Sequence, residues 1–176
     1  MAETSADVIK RYLEDAIAAE KSFETQLQGF SKEGDNEAAK SLFQQHALET
    51  RNQYERLTAR LEALGGSAST AKSLLAHIFG MSPKTAQVGH EKEERTTQNL
   101  MMAFAVENSE CAMYESLATV ADAAGDAETA ALARSIQSQE KATAEKVWNL
   151  LSPAALDAFT RITGERATIS RTATTV

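Results

Sequence analysis

The sequence predicts an all-α protein: an up-down bundle of four long helices, with a long connection between the second and third and a short fifth helix at the end. Three observations carry this reading. Proline and glycine are scarce, at two and eight in 176 residues, while Ala, Glu, Leu and Gln are plentiful. Apolar residues recur at three-four spacing over four separate stretches. Breaks cut the chain between those stretches: SKEGD at 31–35, the pair Gly65-Gly66, and Gly125-Asp126.

The first helix runs from about Ser5 to Phe30 on the stripe Ile9, Leu13, Ala16, Glu20, Phe23, Leu27, Phe30. Gly34 suits a C-terminal cap and Asp35 an N-cap, and so short a link turns the second helix antiparallel to the first. The second helix spans about Asn36 to Leu64, on the stripe Leu42, His46, Glu49, Gln53, Leu57, Leu61, Leu64. A connection of about 25 residues, Gly65 to Gly89, follows, with a short amphipathic helix at Leu74–Phe79. Extended chain at ~3.3 Å per residue can run back along a ~45 Å helix and start the third helix parallel to the second.

The third helix runs from about Glu91 to Ala124, on Leu100, Phe104, Glu107, Cys111, Tyr114, Ala118, Ala121. An adjoining stripe, Val106, Glu110, Met113, Leu117, Val120, is apolar apart from Glu110. The fourth, Ala127 to Leu151, carries Leu132, Ile136, Glu140, Thr143, Val147, Leu150, and Trp148 reads as core. Ser152-Pro153 reads as an N-cap with proline at the first helical position, opening a fifth helix to about Thr163 that Gly164 ends. The bundle domain is therefore 1–164, and 165–176, without apolar periodicity, is a loose tail.

The totals exclude several classes. A net charge of −7 argues against a nucleic-acid surface. No apolar run approaches the ~18 residues of a membrane span, and the N-terminus lacks the apolar stretch of a signal peptide. The single cysteine, Cys111, excludes an internal disulfide and fits a reducing, cytoplasmic setting.

The informative feature is a polar residue where each stripe should be apolar. Glu20, Glu49, Glu107 and Glu140 each lie inside an inward stripe, and at ~1.5 Å per residue the partners in each hairpin fall within about 5 Å of one level. His46 lies one turn from Glu49. Glu20-Lys-Ser-Phe-Glu24 compares with Glu107-Asn-Ser-Glu110, and His46-x-x-Glu49 with Gln137-x-x-Glu140, a weak internal repeat of two hairpins. Carboxylates crowded in a dry core must be protonated, bridged by cations or bound to metal, and no Lys or Arg occupies the stripes. An oxygen-rich site with one imidazole suits manganese or iron. Glu20 and Glu140, each taken singly, can also lean to the edge of the stripe and reach water, and Glu110 reads as a half-exposed neighbour. Tyr114 and Tyr54 are candidate hydrogen-bond partners for the carboxylates.

The four helices, the long second connection and the inward glutamates resemble the ferritin-like superfamily. YLEDAIAAEKSFE, QHALETRNQYERLTARLEALG and AVENSECAMYESL resemble, more narrowly, the bacterial YciE/YciF-type family of ferritin-like stress proteins, with the HxxET motif at His46–Thr50 the most specific part. The resemblance implies a homodimeric cytoplasmic bundle with a dinuclear iron or manganese site. Its ligands would be Glu20, Glu49, Glu107 and Glu140, with His46 and Glu110 as neighbours or ligands. The chain departs from the ferritin-like pattern, which carries ExxH on two helices. Here Asn52 follows Glu49 at that spacing and Thr143 follows Glu140, while positions 108 and 144 are Asn and Ala. Two functions remain in view: a metal protein acting on oxygen or peroxide, and a metal-free scaffold or interaction module.

Overall fold

The computed structural model describes residues 3–67 and 88–165. The Leu74–Phe79 helix and nearly all of the tail lie outside them. Four helices make the bundle: α1 Ser5–Phe30, α2 Glu37–Ala63, α3 Arg95–Ala123 and α4 Ala127–Thr163, with a 3-10 turn at Lys92–Glu94 leading into α3. No strand occurs among the described residues, and none of their helices is long and apolar enough to cross a membrane.

The helix starts are built by caps. Thr4 accepts from Asp7 N in a full capping box, Asn36 from Ala39 N at 2.9 Å, and Asp126 from Thr129 N at 3.0 Å. The cap of α2 is thus Asn36 rather than Asp35, because Asn36 has the extended backbone a cap needs. Asp35 instead pairs with Arg161 at 2.7 Å. Gly34 lies in the turn at φ +71°, where a Cβ would collide with Thr96 Oγ1. That approach, with Asn99 donating to Glu33 at 3.1 Å, fixes the start of α3 beside the start of α2. Arg60 near the end of α2 meets Thr129 Oγ1 at 2.8 Å and Asp126 at 2.7 Å, tying that end to the start of α4. So α2 and α3 run parallel, and the chain between them joins opposite ends of the bundle.

The separate fifth helix is not found. α4 is one helix of 37 residues with Pro153 inside it. Proline removes one backbone bond there, yet the buried stripe continues unbroken through Val147, Ala154 and Ala158, so packing holds the helix together. Gly164 caps it at φ +73°.

The core falls into two apolar clusters. One holds Leu13, Ile17, Leu57, Leu61, Leu117 and Ile136. The other holds Phe23, Phe30, Phe43, Leu100 and Val147, among others. Between them lies a polar layer.

Candidate metal centre

That layer is where the four inward stripes turn polar. Glu20 lies between Ile17 and Phe23 on α1, and His46, Thr50 and Gln53 between Phe43 and Leu57 on α2. Glu107 and Glu110 lie between Val106 and Tyr114 on α3, and Glu140 between Ile136 and Val147 on α4. Glu20, Glu107 and Glu140 are 0% exposed, Glu110 1% and His46 2%. Such burial of four carboxylates is rare unless they are paired or bound.

Two of the carboxylates have a donor. Tyr114 Oη–H donates to Glu20 Oε1, and Gln53 Nε2 donates to Glu140 Oε1. His46 Nε2 lies 2.6 Å from Glu107 Oε1 and 3.9 Å from Glu140 Oε2. The Glu107 contact lacks hydrogen-bond alignment, so both nitrogens of His46 and both oxygens of Glu107 have no hydrogen-bond partner. The same holds for both oxygens of Glu110, for Glu20 Oε2 and for Glu140 Oε2. Ligand atoms of His46, Glu107 and Glu140 converge within 4.8 Å. A buried His/Glu/Glu group with unpaired donor atoms around it fits the donor set of a divalent metal, and could hold one.

Burial dominates the electrostatics. It pushes Glu20 up to about 8, against the Tyr114 hydrogen bond and His46, which pull it down, and with a further push from Glu107. Burial, then the charges of Glu20 and Glu107, raise Glu140 to about 11. Burial and the charges of Glu20, Glu140 and Glu107 hold Glu110 well above the usual carboxylate range. Burial works to lower His46, but its contacts with Glu107 and Glu49 outweigh this and lift it to about 9. Without metal, the layer therefore keeps protons at neutral pH and avoids packing four negative charges together.

The structure redraws the site in three places. Glu49 is not in the buried set: its side chain is 35% exposed, with Oε2 3.6 Å from His46 Nδ1. Thr50, 0% exposed with an unpaired hydroxyl, takes the inward position beside it. Thr50 was missed because positions 49 and 50 both follow His46 at a permitted helical spacing. Glu110 is fully buried, as its stripe neighbours Val106 and Leu117 already indicate. Trp148 is not core but 58% exposed, its ring 5.2 Å from that of Phe104 in a cleft between α3 and α4. Cys111, half-buried, lines the same cleft. The ring of Tyr54 is instead capped by Lys21, whose Nζ lies 5.3 Å from its centroid.

Residues 4–160 match the family described as a domain of unknown function, DUF892. The chain belongs to this family. It is 28% identical over 151 residues to protein YciF of Escherichia coli K12, covering 84% of this chain and 90% of YciF. The crystal structure of the E. coli stress protein YciF superposes with a TM-score of 0.77 at 26% identity, covering 88% of this chain and 98% of that one. A Xanthomonas campestris pv. campestris structure gives 0.76 at 27% identity, covering 90% and 99%. The ferritin-like four-helix bundle and the YciE/YciF-type kinship are thereby shown.

Proposed function

We propose that this chain is a stress-type protein that binds a dinuclear iron or manganese centre in the polar layer of its bundle. The observation that carries the reading is the set of buried donor atoms without aligned hydrogen bonds on all four helices, converging most tightly at His46, Glu107 and Glu140. Glu20, His46, Glu107, Glu110 and Glu140 would hold the metals, which when bound supply Lewis acidity and electron transfer. Tyr114 and Gln53 orient Glu20 and Glu140 by donating to one oxygen of each, leaving the other free. Glu49, half-exposed, stands 3.6 Å from the nitrogen of His46 turned away from Glu107, outside the buried ligand set. The two apolar clusters exclude water above and below the layer. Loading displaces protons from the glutamates and His46, so affinity rises with pH.

The setting proposed is a cytoplasmic homodimer, with residues 1–164 as the working unit and 165–176 as a tail. The lone Cys111 and the exposed Leu48, Met101 and Trp148 support this. A second reading, a metal-free scaffold, draws on the same layer. Tyr114 and Gln53 already give two of the carboxylates a hydrogen-bond donor, and the set holds one imidazole.

Elemental analysis after incubation with manganese or iron and desalting decides between them. Metal binding predicts about two ions per chain, lost in Glu107→Gln. Absence of bound metal in the unmutated protein supports the scaffold.

A further inference from the structure

The buried layer has to be reached from outside, and the two apolar clusters close it at both ends. We propose that divalent cations reach it along the seam between α2 and α4, with Glu49 and the outer nitrogen of His46 as their first ligands. This rests on the metal-binding reading of the layer.

Three observations point to that seam. First, of the neighbouring helix pairs, α2 and α4 pack against each other most sparsely. Their seam is lined with polar groups: His46, Glu49 and Gln53 from one side, Gln139, Glu140 and Lys146, whose charge acts on Glu49, from the other.

Second, His46 Nδ1 is buried, has no hydrogen-bond partner and lies 3.6 Å from the half-exposed Glu49 Oε2. That separation is long for a hydrogen bond. It is within the span of one ion bonded to both atoms at about 2.1 Å.

Third, the ligand groups form a graded path. Side-chain exposure falls from 35% at Glu49 to 2% at His46 and 0% at Glu107 and Glu140. The His46 ring links the two ends: its Nδ1 lies 3.6 Å from Glu49, and its Nε2 2.6 Å from Glu107 and 3.9 Å from Glu140. A cation moving along it exchanges one protein ligand for the next instead of being stripped bare in an apolar interior, which is the costly alternative.

The competing route is the cleft of about 520 Å³ between α3 and α4. Its walls are the Phe104 and Trp148 rings, Cys111 and Ala144, and its charges, Lys141 and Glu145, cancel. None of its lining side chains carries a buried nitrogen or oxygen without a hydrogen-bond partner. It offers a hard cation little to hold.

The test is the rate of manganese(II) uptake by the metal-free full chain, followed by loss of the free-ion EPR signal. Glu49→Gln should bind the same final amount as the unmutated protein but at least tenfold more slowly. Glu49→Asp should recover part of the rate, and Glu145→Gln in the other cleft should leave it unchanged. Unchanged uptake in Glu49→Gln overturns the route. So does slowing in Glu145→Gln instead. Loss of bound manganese from Glu49→Gln, with its far-UV circular dichroism intact, also overturns it by placing Glu49 in the inner ligand set. If the unmutated protein takes up no manganese, the metal-binding reading itself fails, and the route with it.

Discussion

Raising the pH of the metal-free protein should weaken it, and the buried glutamates set the size of the effect. In the unfolded chain Glu20 ionises above its ordinary 4.5, whereas in the fold it keeps its proton up to about 8. Across that window the unfolded state has lost a proton that the folded state retains, so rising pH favours unfolding at about 1.4 kcal/mol per pH unit. From pH 5.5 to 7.5 Glu20 alone removes about 3 kcal/mol. For a chain of this size that lowers the melting temperature by about 6–12 °C. Glu110 and Glu140, also raised, act in the same direction, as does His46 above its ordinary 6.5. The carboxylates with lowered values, such as Asp35, Glu49 and Asp126, act with the opposite sign but at more acid pH. The assay is thermal unfolding followed by circular dichroism in chelator, at pH 5.5, 6.5 and 7.5. Glu20→Gln should flatten the dependence by about one group's share. A melting temperature that is constant or rises over this range in the unmutated protein would refute the picture of protonated, crowded carboxylates.

Two further outcomes follow from the packing of the same layer. Tyr114→Phe removes the donor to Glu20 and leaves a buried carboxyl oxygen without a partner, so chemical denaturation should show a loss of about 1–3 kcal/mol. Leu57→Ala opens a hole in the apolar cluster beside the layer, at a side chain that is 0% exposed. It should cost about 2–5 kcal/mol in the same assay, with metal stoichiometry unchanged.

The stripes show how much of this was legible. On α1 every predicted inward position, from Ile9 to Phe30 and including Glu20, is buried, because a long regular alternation leaves only one face to turn inward. The parallel run of α2 and α3 followed from a connection long enough to cross the bundle. On α2 the reading slipped by one residue at Glu49 and Thr50. Both are polar and stand one turn beyond His46, so hydrophobicity could not choose between them; the turn that brings Gln53 to Glu140 chose Thr50. Glu110 was visible in an otherwise apolar stripe and needed only a wider inward face on α3, which packs against both α1 and α4. Pro153 misled because a serine-proline pair is a strong local start signal, although the small residues Ala154 and Ala158 already continue the stripe of α4. Trp148 misled through composition: a large ring was assigned to the core, whereas Val147 beside it holds the inward position. The pairing of His46 with Glu107 depends on the relative height of two helices not consecutive in the chain, which no local pattern encodes.

The most direct test of the central claim is anomalous diffraction from crystals of the full chain grown with manganese. Binding in the polar layer predicts peaks among Glu20, His46, Glu107, Glu110 and Glu140, between the two apolar clusters. A layer without anomalous density, with manganese found only on surface carboxylates, would contradict it and leave the bundle as a scaffold.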